Sequence, residues 1–295
     1  MTWGNGSSGV SGVVSSANSL VGTTLGDQVG SGGLEILPNQ NYLVRSPAWS
    51  DSRGAVTWAD GSSGVKGEIS SANSLVGSQP FDEVGFGGIT PLSNSNYLVR
   101  SQRWAVNRGA VSWGSGSAPL AGEVSASNSL VGENSGDFVG SGGITSLANG
   151  NFVVSSPSWN SNTGAVTWGS GSSGVSGVVS SANSLVGTSP GDTAGSGGVE
   201  ALSSGHYLVF TTNWGFSNEG SGGIGAVTWG DGSAGAVGVI GPSNSLVGSS
   251  FGDRVGSGGF EELGNGNFVV LSPLWGGGAS GTAARGAVTL SLIHI

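Results

Sequence analysis

The sequence repeats one pattern at a nearly fixed interval, and this limits the chain to folds that stack like units. The string Asn-Ser-Leu-Val-Gly begins at Asn18, Asn73, Asn128, Asn183 and Asn244, at steps of 55, 55, 55 and 61 residues. Four other markers recur in the same order: a Gly-x-Gly-Gly turn, an aromatic residue before two aliphatic ones, a following tryptophan, and Gly-Ala-Val-Thr/Ser-Trp. A period of this length predicts that each copy is one supersecondary unit packed against its neighbours.

Each copy contains four stretches with the composition of short strands. In the first complete copy we predict strands at 32–37, 42–46 and 54–58, and a fourth within 67–77 that breaks near Asn73. Apolar residues do not recur at helical spacing between capping residues, so we expect almost no helix.

Two local patterns predict how the strands are arranged. Asn-Gly at 149–150 and 265–266 predicts a type I′ turn, which would join the first two strands into an antiparallel hairpin. In the third strand, Val56 and Trp58 point to one face and Ala55 to the other, so both faces can be covered by neighbouring sheets.

The fold that we predict is all-β, with tandem four-stranded antiparallel repeats arranged as a five-bladed β-propeller, because 55–61 residues match one blade. An open array and a β-solenoid are the alternatives, although the parallel strands of a solenoid conflict with the hairpin. First strands should start near residues 32, 87, 142, 197 and 258. We expect residues 1–289 to form a single repeat domain, in which the fourth strand at 12–22 could close the last blade.

Both ends of the chain interrupt the repeat. Met1 stands at the Val position of Gly-Ala-Val-Thr-Trp, and the last copy of that motif has Leu290 in place of tryptophan. We expect residues 290–295 to derive from a sequencing adapter and the chain to be a fragment of a longer bacterial protein. The adapter residues are therefore left out of the fold prediction.

The copies differ in length at one place, between the second tryptophan and the next Gly-Ala-Val. Four residues separate the two in the early copies, as at 50–53, whereas ten residues do so at 215–224 and 276–285. Insertions confined to one place indicate an exposed loop.

The composition excludes several classes of function. The chain has 60 glycines, 17 acidic and 8 basic side chains and a net charge of −9, so it lacks the basic surface that nucleic acid requires. It has no apolar run suited to membrane insertion. It also has no cysteine for a disulfide, a catalytic thiol or a thiolate metal site. We predict no cofactor.

The segment from Asp27 to Trp58 resembles two known kinds of repeat. Its Gly-Gly-x-x-x-Leu, Tyr-Leu-Val-x-Ser-Pro and Gly-Ala-Val-Thr-Trp strings are similar to the FG-GAP blades of integrin-α-type propellers. Over the whole chain, the pattern more closely resembles the Trp-rich tandem repeats of filamentous-haemagglutinin-like bacterial surface proteins. FG-GAP blades often carry an Asp-rich calcium loop at the first hairpin, but 38–41 and 264–267 hold no carboxylate, which argues against calcium there.

One aspartate recurs before each Gly-x-Gly-Gly turn. These residues are Asp27, Asp82, Asp137, Asp192 and Asp253. They could supply five equivalent cation or ligand contacts, but an aspartate before a Gly-rich turn more often caps the turn amides. We favour capping and keep the five residues as weak metal candidates.

The tryptophans form two classes. The class represented by Trp58 lies within the third strand at an alternating apolar position, and we predict that it is part of the core. The other class stands beside the variable loop, at Trp49, Trp104, Trp159, Trp214 and Trp275. These five rings could pack in the core or present a flat face on which a sugar stacks, and they are the candidate ligand-binding residues.

Enzyme signatures are missing, so we predict no catalytic residue and no enzymatic activity. The sequence has no Gly-x-Ser-x-Gly accompanied by triad partners and no His-Glu-x-x-His. Arg45 and Arg100 occupy a strand position that other copies fill with Ser, Phe or Leu, which argues against a shared catalytic role. His206 replaces an asparagine at a hairpin turn, and we expect it to be structural.

These observations predict a non-catalytic extracellular or cell-surface module for adhesion or structural spacing. Its expected partners are neighbouring repeats of the same chain, with surface glycans or host matrix proteins as candidate ligands, and without nucleic acid or membrane insertion. The alternative is a lectin-like, carbohydrate-binding propeller with repeated sites near the loops of the Trp49 class.

Overall fold

The computed structural model describes residues 1–216, 222–277 and 283–291. In these ranges the chain is all-β and consists of repeated antiparallel sheets, as predicted. The first strands are Gly33–Ile36, Ile89–Pro91, Gly143–Ser146, Val199–Ala201 and Phe260–Glu262. The second strands are Tyr42–Ser46, Tyr97–Ser101, Phe152–Ser156, Tyr207–Thr211 and Phe268–Ser272. The third strands are Ala55–Ala59, Ala110–Gly114, Ala165–Gly169, Ala226–Gly230 and Ala287–Ser291.

The first three strands of each copy form an antiparallel meander. Leu43 on the second strand lies between Glu35 on the first strand and Trp58 on the third. The second and third strands are buried at every position but one, in the runs Tyr42–Ser46 and Ala55–Ala59. Continuous Val, Leu and Tyr runs suit strands that are covered on both faces, which explains why alternation with charged residues is absent from them.

The predicted fourth strand is two separate strands. The short linking strands are Gly67–Glu68, Gly122–Glu123, Gly177–Val178 and Gly238–Val239. The fourth strands are Leu20–Val21, Ser74–Val76, Ser129–Val131, Leu185–Val186 and Ser245–Val247. A fourth strand pairs antiparallel with the third strand of its own sheet, as Leu75 does with Val56. A linking strand instead pairs parallel with the preceding fourth strand, as Gly67 does with Leu20.

The Asn-Ser-Leu-Val-Gly string builds this break. Asn73 Oδ1 accepts the Ser70 amide at 3.0 Å, and Asn73 Nδ2 donates to the Glu68 carbonyl at 2.8 Å, which closes a turn between the two strands. The buried hydroxyls of Ser74 and Thr57 lie 2.7 Å apart between the fourth and third strands. The string therefore determines the turn and the strand pairing together, and the predicted break near Asn73 is confirmed.

The chain divides into two compact units, Met1–Gly140 with Gly171–Val178 and Ser141–Ser170 with Val179–Ile295. Within the first unit, consecutive sheets pack face to face through a cluster that includes Leu43, Val56, Leu75, Tyr97, Val99 and Ala110. Within the second unit, the equivalent cluster includes Val153, Val166, Leu185, Tyr207, Val209 and Ala226. In both units, the core lies between stacked sheets and is not formed by single hairpins.

The third strand contributes to a different cluster on each face. Val56 belongs to the cluster just described, and Trp58 packs against it. Ala55 belongs to a second cluster with Leu20 and Val44. The predicted alternation of this strand is therefore confirmed.

The sheets of the described residues do not show a closed propeller. Leu20–Val21 pairs with Gly67–Glu68, and the Leu20 amide donates to the Met1 carbonyl at 2.8 Å. The five-bladed ring, its closure by residues 12–22 and the single domain over residues 1–289 therefore stay predictions. Of the predicted adapter residues, Leu290 and Ser291 complete a third strand, and residues 292–295 lie outside the described residues.

The hairpin between the first two strands is not a type I′ turn, so that prediction is wrong. A type I′ turn needs positive φ at both central residues, but in the Asn149–Gly150 pair only Gly150 has it, with φ +84°. The Leu147 carbonyl accepts the Gly150 amide at 3.0 Å, and the Leu147 amide donates to the Asn151 carbonyl at 2.8 Å. Gly150, the residue with positive φ, therefore stands at the end of a turn that is longer than the two-residue type I′ turn. Asn149 does not have a positive φ; its Oδ1 accepts the Asn151 amide within the hairpin, and its Nδ2 donates to the Gly232 carbonyl outside it.

The link from the second strand to the third contains three four-residue helical turns, Trp49–Ser52, Trp104–Asn107 and Trp159–Asn162. They are not right-handed helix: Ser50 and Asp51 have φ of +50° and +57°. The left-handed region is unfavourable for residues with a Cβ, so these turns are strained. The longer loops at 215–224 and 276–285 lie partly outside the described residues.

We expect the substitution Val106→Asn to stabilise the protein. Val106 has φ +61° and is 72% exposed, and a β-branched residue is poorly suited to this conformation, whereas asparagine tolerates it. The gain should be about 1 kcal/mol, or about 2–4 °C in Tm, measured in thermal melts. Val237→Asn is the control, because Val237 is 55% exposed and lacks a positive φ. An equal gain in both variants would rule out backbone strain as the cause.

Candidate functional site

The recurring aspartates lie inside the fold, where each carboxylate joins two loops. All five are buried, with 0–3% exposure. Asp82 Oδ2 accepts the Ser78 and Gln79 amides, each at 2.9 Å, and Oδ1 accepts the Ala105 amide at 2.8 Å. The corresponding bonds to Oδ1 come from the amides of Ser50, Gly215 and Gly276. The carboxylates of Asp27, Asp82, Asp192 and Asp253 therefore tie their own turns to the residue that follows a tryptophan of the Trp49 class.

This arrangement is the capping role that the sequence favoured. A Cβ added to Gly77 would lie 2.7 Å from the Asp82 Cβ, so the glycine that ends Asn-Ser-Leu-Val-Gly leaves room for the carboxylate. Among the described residues, no three His, Cys, Asp or Glu side chains form a group that could hold a metal ion. The lone pairs of the carboxylates are used by backbone amides instead.

Hydrogen bonds determine the acidity of two of these aspartates. Burial by itself raises the pKa of Asp27, but the amide of Thr24, the amide of Ser50 and further bonds outweigh it, and the pKa is held below its ordinary value. For Asp253, burial is likewise outweighed by amides that include those of Gly276 and Ser249, and the pKa is lowered. Both carboxylates are therefore more stable as anions in the folded protein.

The candidate ligand-binding tryptophans are buried or partly buried. Trp49 and Trp104 are each 9% exposed and belong to hydrophobic clusters, and Trp159, Trp214 and Trp275 are partly buried. The indole N–H groups of Trp49, Trp104, Trp159 and Trp214 are buried and donate to no acceptor. A sugar platform needs an accessible ring face and an accessible N–H, so this burial does not favour sugar stacking at these positions.

The tryptophans of the third strand lie where repeats meet. Trp58, Trp113 and Trp168 are partly buried, and Trp229 is 40% exposed. Trp58 Nε1 donates to the carbonyl of Gly116 in the next copy at 3.1 Å, and Trp113 donates to Gly171 at the same distance. The prediction that this class is core therefore needs correction: the ring lies half-covered at a junction between repeats.

At the junctions of Trp58, Trp113 and Trp168, one glycine carbonyl accepts three N–H groups. Gly116 receives the Asn39 and Asn41 side-chain amides, both at 2.8 Å, in addition to the Trp58 indole. The same set converges on Gly171, from Asn94, Asn96 and Trp113, and on Gly232, from Asn149, Asn151 and Trp168. We call this arrangement the glycine clamp.

The asparagines connect successive clamps. Asn41 accepts the Gly61 amide of its own copy at 3.0 Å and donates to Gly116 of the next. Gly116 then donates to Asn96 at 3.1 Å, and Asn96 donates to Gly171. Side-chain amides and glycine peptides thus alternate along the first unit as one hydrogen-bonded series, in which each bond polarises the next.

His206 takes the asparagine position in the series. Its Nδ1 accepts the Gly232 amide at 3.1 Å, and its ring centroid lies 4.7 Å from that of Trp229. An N–H donor on Nδ1 places the proton of the neutral ring on Nε2. The histidine is therefore an acceptor in the second unit, which fits the structural role expected for it.

The clamp was missed in the sequence. The asparagines of the spacing Asn-x-Asn recur at 39–41, 94–96 and 149–151, and this repetition was the available signal. The pattern was interpreted only as a turn, because the acceptor lies more than 70 residues away, as from Asn39 to Gly116 with a separation of 77.

Comparison with known proteins assigns the chain to a repeat family. The family model described as "Repeat of unknown function (DUF5650)" matches residues 1–31, 36–86, 91–141, 146–196, 201–257 and 262–291. The chain belongs to this repeat family. The six DUF5650 matches recur at the predicted period: four are full, those at 1–31 and 262–291 are partial, and each full match contains one second, one third, one linking and one fourth strand. The tandem-repeat prediction is confirmed, while the haemagglutinin-like and FG-GAP resemblances stay predictions.

Other comparisons add little to the DUF5650 assignment. No curated protein matches the chain. A hypothetical protein from Leishmania major is 12% identical, with 93% of this chain and 90% of that chain covered and a TM-score of 0.30. A mannose phosphorylase from Leishmania mexicana, in complex with phosphate ion, is 10% identical, with 86% and 83% covered and a TM-score of 0.27. Scores this low carry no argument about the fold or function of the repeats.

We expect the stability of the repeats to fall in acid because of the aspartate caps. The pKa values of Asp27 and Asp253 are lowered from 3.8 on folding, so the unfolded state binds more protons and stability is lost as the pH falls below about 4 through the folded values. Urea unfolding at pH 7, 4 and 3 measures this loss. Asp253→Asn should be less stable than wild type at pH 7 and should lose less on acidification. An unchanged pH slope in this variant would contradict the prediction.

We expect Asn96→Ala to weaken the junction between two DUF5650 repeats. The substitution removes a donor to Gly171 and the acceptor of the Gly116 amide, and such losses cost about 1–3 kcal/mol when the partner is shielded from water. Asn5→Ala is the control, because the Asn5 side chain bonds only to the nearby Ser7 and Ser8. Equal losses in both variants, measured by urea unfolding, would show that the clamp adds nothing beyond a local turn.

Proposed function

We propose that the chain is a non-catalytic repeat module that serves in adhesion or as a structural spacer at the cell surface or outside the cell. The observation that supports this proposal is that the recurring aspartate, asparagine and tryptophan side chains join one repeat to the next. Buried aspartates hold turns, as Asp82 does, and Asn–Gly–Trp contacts hold junctions, as at Gly116. A module of this kind gains length by nearest-neighbour packing.

The architecture that we propose for the module is the five-bladed propeller, with an open array as the alternative. The antiparallel meanders stack face to face within each unit, as the blades of a propeller do, and this stacking favours the propeller architecture. The parallel pair between successive sheets, such as Leu75 with Gly122, is compatible with either arrangement. In both, the surface available to a partner consists of loops and exposed edges.

A carbohydrate-binding function is the second candidate. Its support is the number of tryptophans and their regular spacing, and among the described third-strand rings Trp229 offers the largest exposed fraction, 40%. The proposed sites near the Trp49 class would require movement of buried rings. Surface glycans and host matrix proteins therefore remain candidate ligands, which would be held by surfaces other than these ring faces.

An array experiment separates the two candidates. The purified chain is applied to glycan and matrix-protein arrays, and Trp104→Ala is compared with Trp229→Ala. For the adhesion or spacer function, Trp104→Ala should lower stability by about 3–5 kcal/mol, because a large buried ring is removed, and any array signal should fall only with the folded fraction.

The lectin candidate predicts the reverse for Trp104→Ala, a lost glycan signal at an unchanged Tm. Trp229→Ala removes the exposed ring that supports the lectin candidate and should cost less stability than Trp104→Ala; a lost glycan signal at an unchanged Tm in this variant would also favour the lectin. Mass spectrometry of the arrayed glycans after incubation gives a further readout. Turnover of any glycan by the folded chain would overturn the non-catalytic proposal.

A further inference from the structure

Two arginines converge on one glycine of the first unit. Arg45 and Arg100 occupy the same position of consecutive second strands. A Cβ built on Gly88 would lie 3.6 Å from Arg100 Nη2 and 4.0 Å from Arg45 Nη1. Because Gly88 has no side chain, both guanidinium groups border the same small space above its Cα atom.

Among the described residues, neither guanidinium has an acidic partner. Among the described residues, the arginine with a carboxylate within 4 Å is Arg103, which pairs with Glu83, so no carboxylate in these ranges lies within 4 Å of Arg45 or Arg100. This is unusual in a chain with 17 acidic and 8 basic side chains. Carboxylates are abundant, yet no carboxylate of the described ranges neutralises the pair.

The hydrogen-bonding capacity of the pair is also largely unused. The Nε atoms of Arg45 and Arg100 are buried and donate to no acceptor, although buried polar groups are almost always paired. The contact of Arg45 Nη1 with the Gly85 carbonyl is long, at 3.5 Å. Burial lowers the pKa of Arg100, which is the effect of a cation that is desolvated without compensation.

This combination is unfavourable unless an anion is present. Two like charges within several ångströms repel, and the repulsion grows where water is excluded. An arginine stays protonated in proteins, so the pair cannot reduce the repulsion by losing a proton. The planar fork of a guanidinium donates well to the oxygens of a sulfate, phosphate or carboxylate group.

The glycine has a part in the same arrangement. Gly88 has φ +95°, and its amide is used in a bond to the Gly85 carbonyl at 3.1 Å. The Gly88 backbone therefore contributes space rather than a donor. Any side chain at residue 88 would enter the region between the two guanidinium groups.

We propose that Arg45, Arg100 and Gly88 form a binding site for a single oxyanion, such as a sulfate, a phosphate or a carboxylate group. This assignment goes beyond adhesion or spacing and does not depend on either. It gives an acidic protein one defined point at which an anionic group of a small molecule or a polymer is held. The other copies have Ser155, Phe210 and Leu271 at the arginine position, so the paired site is restricted to the first unit.

The test uses the complete chain and three inorganic or simple anions. Sodium sulfate, sodium phosphate and sodium acetate are titrated separately at constant ionic strength, with sodium chloride as the balancing salt, and Tm and calorimetric binding are measured. We expect at least one anion to bind saturably and to raise Tm. The order of the three affinities distinguishes a tetrahedral oxyanion from a carboxylate.

Matched variants locate the site. Arg45→Gln and Arg100→Gln should each weaken binding by about tenfold or more, because each removes a charge-assisted donor. Arg108→Gln removes the same charge from an exposed loop residue and should bind as wild type does. An equal loss in Arg108→Gln would show that only net charge matters, and this would overturn the site.

A second readout separates binding from a structural role. Without the anion, Arg100→Gln should have a higher Tm than wild type, because like-charge repulsion and an unsatisfied buried donor are removed together. With saturating anion, wild type should become the more stable of the two. Absence of saturable binding by all three anions, or retention of wild-type affinity in both Arg45→Gln and Arg100→Gln, would overturn the proposal.

Discussion

The junction between repeats depends on a single peptide carbonyl that accepts three N–H groups from the preceding copy. At Gly116 the donors are two asparagine amides and one indole, all within 3.1 Å. A carbonyl oxygen has two lone pairs, so a third donor requires the groups to approach from a narrow range of directions. The turn contains glycine because of a close backbone approach: a Cβ on Gly116 would lie 1.9 Å from the Ser95 carbonyl oxygen.

The clamp acts together with burial of the segment that follows it. Ile69, next to a linking strand, is 1% exposed, because Gly67 and Ile69 donate to the carbonyls of the preceding fourth strand. Val14 stands at the equivalent position of the first copy and is 67% exposed. At about 25 cal/mol per Å², covering such a side chain contributes one or two kcal/mol. Polar and apolar contacts therefore stabilise the same junction.

The sequence predicted the strands better than the contacts between repeats. Local spacing placed the second strand at its observed bounds, and the break near Asn73 followed from turn residues that act on their own neighbours. The Asn-Gly turn was misassigned because the side chain of Asn149 bonds to Gly232, 83 residues away. The burial of the Trp58 class was misjudged for a similar reason. Alternation shows which face Trp58 occupies, but not how much of that face the next copy covers.

The positions that are free to differ between copies are the places where a repeat protein can acquire a function. The aspartate caps cannot change without leaving buried amides unsatisfied, and the clamp residues are restricted by their acceptor. The fourth residue of the second strand has no such restriction, since it is Arg45 in one copy and Phe210 in another. A function that is present in only some of the copies is therefore expected at this position. Side chains there border a turn of the following sheet and make no hydrogen bond on which the fold depends.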